Sequence, residues 1–357
     1  MLAIGIVGLP NIGKSTLFNS LTNSNILIAN YPFATIEPNI GIVPVPDKRL
    51  KKLAEIYNTD KIVPATVKFT DIAGLVKGAS EGEGLGNQFL SNIRSCNAIL
   101  HVVRAFDDGS VIHVSNDIDP KDDIETIQTE LMLADISTLE KHIPKLLKDA
   151  KANPKIKVKI EALEKLKDSL NNGVYYNDIE EDLLDGLQLL TKKPVIYVFN
   201  IDEKDINNNE LKNKLSNLVP KDSALFVCAK LENEINSFSE KEKEEFLEGY
   251  NLKESGLDQL IKKAYSLLKL QSFLTAGVKE VRAWTINQGS TAPEAAGVIH
   301  GDFEKGFIAA EIVSYQDLVE CGSLQKARQL GKIRTEGKTY IMQPNDVVEF
   351  RFNVTNR

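Results

Sequence analysis

The chain has 357 residues, of which 42% are hydrophobic and 26% are charged, and its formal net charge at pH 7 is −7. These values are typical of a globular protein with more than one domain, and they exclude a wholly disordered chain, a collagen-like repeat and a disulfide scaffold. Cys96, Cys228 and Cys321 lie far apart without a C-x-x-C pair, which favours a reducing compartment and argues against structural zinc. No apolar run approaches the roughly 20 residues of a membrane span, so we expect a cytoplasmic protein.

The N-terminal region alternates apolar strands with loops and helices. Continuous apolar strands separated by helices indicate an α/β domain whose mostly parallel sheet is covered on both faces. The pattern predicts a helix over 14–21 and strands at Ala3–Val7, 65–70, 98–104, 194–199 and Ala224–Val227.

Residues 121–190 interrupt this alternation. Apolar residues recur there at helical spacing in two runs, which predicts a helical hairpin inserted into the α/β domain. Residues 151–155 are a plausible turn between the two helices. Pro144 should kink or interrupt the first helix, because proline lacks a backbone N–H. The runs are Ile124, Ile127 and Leu131, then Ile160, Leu163, Leu166 and Leu170.

Charge is also uneven along the chain. Residues 141–170 hold nine lysines and four acidic residues, whereas residues 231–258 hold nine acidic residues and three lysines. A nucleic-acid binder with this net charge would use a local basic surface. The alternative is that both segments are merely solvated helix faces.

The C-terminal region, residues 271–357, has a different character. β-branched and aromatic residues with glycines replace the Lys/Glu-rich helices, which predicts a separate small α+β domain. We expect strands at 281–286, 307–313 and 347–352 and a short helix at Tyr315–Cys321.

Residues 8–15, GLPNIGKS, match the phosphate-binding pattern G-x-x-x-x-G-K-[ST] between a predicted strand and a predicted helix. Glycines let the loop wrap phosphate oxygens with backbone N–H groups at a helix N-terminus. Lys14 would bridge the β- and γ-phosphates, and the Ser15 hydroxyl would ligate Mg²⁺. Asn11 could hold a K⁺ ion beside the phosphates, or it could only tie the backbone of the loop together.

Asp71 begins a D-x-x-G motif at the end of a predicted strand. Its carboxylate would reach Mg²⁺ directly or through a bound water, and the Gly74 amide could contact a γ-phosphate. The glycine-rich tract 77–86 is typical of a mobile switch loop. Thr35 is positioned to add a second hydroxyl ligand to Mg²⁺, although it could simply begin a strand.

Residues 200–203, NIDE, occupy the place where GTPases carry N-K-x-D. Glu203 at the aspartate position should spoil the bidentate fit to guanine, and Ile201 at the lysine position removes part of the packing platform for the base. The motif therefore favours ATP over GTP, with Asn200 and the backbone at Ile201 as base contacts. Cys228 begins a segment that would complete the base pocket. A plain solvent-exposed loop is the alternative.

Leu75 follows the D-x-x-G motif, where many GTPases place a water-orienting glutamine. A leucine cannot polarise water, so we expect slow intrinsic hydrolysis. His113 is a candidate substitute, since a histidine can donate or accept a hydrogen bond near neutral pH. The alternative is a surface or packing histidine.

Together these motifs closely resemble the YchF family of Obg-related P-loop ATPases over essentially the whole chain. The C-terminal run 275–285, with 295–300 and 302–307, resembles a TGS domain, which has a β-grasp fold. The most specific segments are 8–16, 30–41, 71–88, 200–203 and 275–285.

The resemblance implies an OBG-type nucleotide domain at 1–268 with the hairpin inserted, and a TGS domain at 269–357. It also implies a preference for ATP, dependence on Mg²⁺, and association with the ribosome, including its large subunit. Carried over by position, Mg²⁺ would be held by Ser15 and Thr35. The nucleotide ligands would be Asn11, Ile12, Gly13, Lys14, Ser15, Thr16, Asn200 and Ile201.

We therefore expect a monomeric, ATP-hydrolysing switch with a translation-linked or stress-linked role, which contacts ribosomal RNA through the hairpin and the TGS domain. Two rivals stay open. One is a GTPase of the Obg type. The other is a nucleotide-gated ribosome or RNA adaptor in which hydrolysis is incidental.

Overall fold

A computed structural model describes residues 2–23, 39–72, 85–106, 119–150, 156–175, 179–184 and 186–353. Contacts divide the chain into two compact units. The first unit comprises residues 1–41 and 68–257, and the second comprises residues 42–67 and 258–357. This grouping differs from the boundary that we predict between residues 268 and 269, which stays a prediction.

The strands of the first unit belong to a six-stranded sheet. Strands β1, β4, β5, β6 and β7 pair in parallel, and β1 is buried along its whole length. The sequence-based prediction of a mostly parallel α/β sheet is therefore confirmed. The order is β2-β4-β1-β5-β6-β7, with β1 at Ala3–Val7, β2 at Ile40–Pro44, β4 at Thr66–Asp71, β5 at Ala98–Ala105, β6 at Val195–Ile201 and β7 at Ala224–Val227; β3 at Ile62–Val63 belongs to a second sheet.

Short helices connect these strands. Several begin at side-chain caps, as at Ser239, whose hydroxyl accepts from the Glu242 amide while the Glu242 carboxylate accepts from the Ser239 amide. The helices of the first unit outside the hairpin are α1 (Lys14–Asn23), α3 (Leu85–Ser95), α6 (Asn209–Ser216), α7 (Ala229–Ile235) and α8 (Glu240–Gly249), whereas α2 (Lys48–Tyr57) belongs to the second unit.

The predicted helical hairpin is present as α4 (Pro120–Asp149) and α5 (Ile156–Asn171). Asp119 caps α4 by accepting from the amides of the first turn, and the proline at the start of the helix needs no amide partner. We expected a kink or an interruption at Pro144; the kink stays a prediction, but α4 is not interrupted by this proline. It lies on an exposed face, where water can reach the carbonyl that its missing N–H leaves unbonded. The predicted turn at 151–155 lies outside the described residues.

Helix α4 is fastened to the rest of the first unit near its middle. The buried Asp135 carboxylate accepts from the Leu190 amide at 2.9 Å and from the Thr191 amide at 2.8 Å. Arg94, at the end of α3, donates from Nη2 to the Thr138 hydroxyl at 3.0 Å. These bonds tie the hairpin to the segment that leads into β6 and to the end of α3.

The second unit holds a mixed sheet in the order β11-β10-β12-β8-β9-β3. Helix α10 packs against it through three alanines that are fully buried beside Phe273 and Phe350, and the predicted α+β character is confirmed. The strands are β8 (Leu270–Ala276), β9 (Val281–Asn287), β10 (Phe307–Ser314), β11 (Arg334–Glu336) and β12 (Asp346–Phe352), and the helices are α9 (Gly256–Leu267), α10 (Ala292–Ile299), α11 (Gly301–Lys305), α12 (Tyr315–Cys321) and α13 (Leu324–Gln329).

No helix in the part of the chain that the structure describes is both long and apolar enough to cross a membrane.

Candidate functional site

The loop between β1 and α1 requires glycine at both of its ends. A Cβ at Gly8 would lie 2.7 Å from the Val102 carbonyl oxygen, and Gly13 has a φ of +88°, which other residues rarely adopt. Ser15 and Thr16 follow in the exposed first turn of α1. The loop thus ends with backbone amides and two hydroxyls at a helix N-terminus, which is an arrangement suited to phosphate oxygens.

Lys14 and Asp71 form an ion pair at the carboxyl ends of the neighbouring strands β1 and β4. The Lys14 ammonium donates to Asp71 Oδ1, and both side chains are largely buried. They meet because β1 and β4 are neighbours, with Ile6 opposite Asp71 in the register. The cation of the loop and the carboxylate of the D-x-x-G motif therefore lie together, as the sequence-based prediction requires.

Asn200 connects the phosphate-binding loop with the segment after β7. Its side-chain nitrogen donates to the Ile12 carbonyl oxygen at 3.0 Å, and its side-chain oxygen accepts from the Ala229 amide at 3.1 Å. A Cβ at Gly13 would lie 2.3 Å from Asn200 Nδ2, so glycine is required there by this contact as well as by its φ. Asn200 is buried, and unmade hydrogen bonds at this point would be costly.

A cavity of about 550 Å³ opens beside these residues. It joins the end of the phosphate-binding loop to the loops that follow β6 and β7. Ligands of open parallel sheets bind at the carboxyl ends of the strands, which is where this cavity lies. Its lining residues are Gly13, Thr16, Phe106, Asn200, Ile201, Asp202, Glu203, Cys228, Ala229, Lys230, Asn233 and Glu234.

Three of the residues that we predict near the base of the nucleotide have distinct surroundings. Ile201 is 3% exposed and packs in an apolar cluster, so its backbone is the part available to a ligand. Burial raises the pKa of the Cys228 thiol, which keeps it protonated at neutral pH. Glu203 accepts a hydrogen bond at Oε1 from the hydroxyl of Tyr250, a residue that sequence analysis did not single out.

Several predicted site residues lie outside the described residues. They are Thr35, Gly74, Leu75 and His113. Within the described ranges, no group of three or more histidine, cysteine, aspartate or glutamate side chains could hold a metal ion.

Sequence analysis also missed part of the cavity wall. Phe106 lies just beyond β5, and the Arg104 guanidinium stacks over its ring at 4.5 Å. Asn233 and Glu234 lie on α7. A signal existed for Phe106, since loops at the carboxyl ends of neighbouring strands converge. Asn233 and Glu234 belong to a charged helix with no recognisable motif.

Two family models match the chain. One, described as a 50S ribosome-binding GTPase, matches residues 3–140. The other, YchF-GTPase_C, is described as a protein of unknown function and matches residues 270–353.

Full-length relatives are also found. A protein of Bacillus subtilis (strain 168) named Ribosome-binding ATPase YchF is 52% identical over 364 residues, covering 99% of this chain and 100% of the relative. A protein of the same name from Escherichia coli O157:H7 is 49% identical, covering 98% of this chain and 99% of the relative. The chain belongs to the YchF family. The resemblance stated from the motifs is therefore confirmed.

A solved structure of the YchF family has the same fold. The Schizosaccharomyces pombe YchF GTPase superposes with a TM-score of 0.86 at 40% sequence identity. The alignment covers 98% of this chain and 97% of that one. The P-loop α/β fold with a C-terminal YchF domain is thus confirmed, whereas the finer TGS identification stays a prediction.

Proposed function

We propose that this chain is a Mg²⁺-dependent ATPase that acts as a ribosome-associated switch. The observation that carries the proposal is one cavity whose walls include Gly13 and Thr16 at the end of the phosphate-binding loop, the N-x-x-E segment and the segment after β7. Such a cavity can hold a nucleotide with its phosphates at the N-terminus of α1 and its base between the two later loops. The names of the Bacillus subtilis and Escherichia coli relatives support the same activity.

ATP is the proposed nucleotide because of Glu203. A GTPase aspartate at this position accepts two N–H bonds from guanine, and the longer glutamate side chain fits that geometry poorly. Adenine has no N1–H, so it needs no such bidentate acceptor. The Schizosaccharomyces pombe relative is named a GTPase, which keeps GTP as the second candidate.

Lys14 is the proposed phosphate-neutralising residue. Its ammonium is held at the loop by the Asp71 carboxylate, so little conformational freedom remains to be lost when a triphosphate binds. Positioning and charge neutralisation supply most of the catalysis in phosphoryl transfer to water. Leu75 cannot orient that water, which is why we propose a slow intrinsic rate, with His113 as the candidate that completes the site.

The residues present fit a Mg²⁺ ion. Magnesium prefers hard oxygen donors and keeps several waters. The exposed Ser15 hydroxyl in the first turn of α1 and the Asp71 carboxylate at the end of β4 are such donors. Ser15 would bind the ion directly and Asp71 through water, with Thr35 as a further ligand. A Mg²⁺ ion held by these residues would supply positive charge against the charge that develops on the phosphate oxygens.

Ribosome contact is proposed through the hairpin. Lys148 is exposed near the C-terminus of α4 and Lys157 near the N-terminus of α5, and Leu147 and Val158 expose apolar surface beside them. Lysines on such a tip could contact RNA phosphates, while the apolar side chains add contact area. RNA contact by the C-terminal domain, binding to the large subunit and a monomeric, cytoplasmic state belong to the same proposal.

Competition between ATP and GTP for the purified protein tests the nucleotide. ATP should bind more tightly, and Glu203→Asp should shift the preference toward GTP. Ile201→Lys is best left out of the test, because a lysine there would place a charge in the apolar cluster. Glu234→Asp shortens another carboxylate of the same cavity and is the matched control. Wild-type protein that binds GTP about tenfold more tightly than ATP would overturn the proposal.

Co-sedimentation with ribosomes tests the partner. Lys148→Glu with Lys157→Glu should weaken binding and make its loss with salt less steep, because fewer lysines contact phosphates. Reversing Lys151 and Lys155 as well should deepen both effects. ATP affinity should not change. The control reverses Lys214 and Lys221, two exposed lysines of the first unit outside the hairpin. If both variants co-sediment like wild type at every salt concentration, the hairpin is not the contact.

A further inference from the structure

We infer that Tyr250 is a positioning residue that sets base preference by holding one oxygen of Glu203. The Tyr250 hydroxyl donates to Glu203 Oε1 from the end of α8, far along the chain. Glu203 lines the cavity, whereas Tyr250 does not. Tyr250 therefore acts on a ligand through Glu203. This inference rests on the proposed nucleotide-binding function and names a determinant that the N-x-x-E motif does not contain.

The position of the Tyr250 hydroxyl is set by its surroundings. Its ring lies 5.0 Å from that of Phe246, and it packs against the apolar cluster that contains Ile201. The backbone is held too, because the Asn207 side chain donates to the Tyr250 carbonyl oxygen at 3.2 Å. A ring fixed in this way delivers its hydroxyl to one place, so the contact with Glu203 costs little conformational entropy.

The consequence for a bound base follows from counting donors and acceptors. Guanine presents two N–H donors, at N1 and at its 2-amino group, and a carboxylate reads them by offering both oxygens. The Tyr250 hydroxyl takes one of the two lone pairs of Glu203 Oε1 and fixes the orientation of the carboxylate, so Oε1 is a weaker acceptor for a base than Oε2. Adenine presents one amino group beside an acceptor nitrogen and loses nothing by this. The Tyr250–Glu203 pair therefore penalises guanine specifically.

Tyr250→Phe tests the inference, because it removes the hydroxyl and keeps the ring that packs on Phe246. Dissociation constants for ATP, GTP and ITP should be measured; inosine lacks the 2-amino group of guanine. GTP should bind about tenfold more tightly to the variant, the factor expected for one hydrogen bond to a charged group. Binding of ATP and ITP should change much less, since neither offers the second donor.

A double-mutant cycle separates this role from a merely structural one. Glu203→Gln leaves one acceptor oxygen, so Tyr250→Phe should bring no gain in GTP affinity in that background. Tyr197→Phe is the matched control: its hydroxyl accepts from Gln128 at 3.1 Å, outside the cavity lining, and its loss should leave the GTP to ATP ratio unchanged.

Failure of the inference and failure of the proposed function look different. If wild type binds ATP and folded Tyr250→Phe keeps the wild-type GTP to ATP ratio, the inference is overturned and the proposed function stands. The inference is also overturned if the GTP gain persists in the Glu203→Gln background. If wild type binds neither nucleotide, the proposed function fails and the inference fails with it.

Discussion

The phosphate side and the base side of the cavity are built in different ways. The phosphate side is one continuous loop, residues 8–16, in which each residue is a few positions from the next. The base side combines residues 200–203, residues 228–230 and Tyr250, which reach each other only through the packing of β6, β7 and α8. A single motif can therefore specify the first side, whereas the second depends on how the whole unit folds. The predictions below test whether the two sides are also separable in function.

Lys14→Ala should have the largest effect. It removes the phosphate-neutralising charge, and loss of one such group costs roughly 10²–10³ in turnover. Because the phosphates are common to all nucleotides, affinity for ATP and for GTP should fall together. Steady-state hydrolysis and binding of both nucleotides measure this.

Lys52→Ala is the control for that variant, since Lys52 makes an exposed ion pair with Glu55 in the second unit. A change of base preference in Lys14→Ala would contradict the separation of the two sides. If Lys14→Ala still rescues a deletion strain, the result favours the hypothesis of an adaptor in which hydrolysis is incidental over that of an ATP-hydrolysing switch.

Asn200→Ala should disturb both sides at once. It leaves the Ile12 carbonyl and the Ala229 amide without their partner, and each such group costs about 1–3 kcal/mol when buried. We expect a lower free energy of unfolding in urea and weaker binding of both nucleotides. Asn172→Ala removes an exposed side-chain bond in the hairpin and should change neither. A stable variant with only its base preference altered would mean that Asn200 belongs to the base side alone.

Protonation of a buried histidine should change the stability of the fold without favouring the phosphate side or the base side of the cavity. His101 lies on β5, between Val7 of β1 and Tyr197 of β6, and burial lowers its pKa from 6.5 to about 3. Below pH 6.5 the unfolded chain takes up a proton that the folded chain refuses. Stability is therefore full above that pH and falls by about 1.4 kcal/mol per unit below it.

Urea unfolding at pH 7 and pH 5 measures this effect. Wild type should lose about 2 kcal/mol more than His101→Leu over that interval, while the GTP to ATP affinity ratio stays constant. Equal losses in the two proteins would show that His101 does not titrate as its burial requires.

The smallest expected effect concerns the cation beside the phosphates. Asn11 is exposed and has a φ of +63°, a conformation that asparagine tolerates. If its carbonyl helps to hold K⁺, turnover should be several-fold higher in KCl than in NaCl, and Asn11→Ala should abolish the difference. Equal turnover in the two salts would leave Asn11 a loop-shaping role only.

Local patterns were sufficient for much of the fold. The bounds of β1, β7 and α12 match the sequence-based predictions in full, because each is a short apolar run or a capped turn flanked by clear breaks. Both hairpin helices follow the spacing of their apolar residues, which are buried. The expected interruption at Pro144 is absent, since the consequence of a proline depends on which face of α4 it occupies.

Contacts between distant segments could not be predicted in this way. Strand β3 has two residues and pairs with β9, so no periodic pattern marks it. Tyr250 lies in an acidic, solvated stretch, and nothing in its neighbourhood signals a contact with Glu203. The motifs identified the side chains that we propose for nucleotide binding. They did not identify the partners that orient those side chains.

Helix α4 is attached to the rest of the first unit near its middle, so its C-terminal part extends beyond that attachment. The end at Asp149 lies roughly 17–21 Å beyond Thr138 and Asp135 at 1.5 Å per residue. A bend of about 10° at Thr138 would move that end by about 3 Å, a change that paired spin labels on α4 and β5 could report. The length of α4 beyond its attachment therefore decides how far the exposed Lys148 reaches from the sheet.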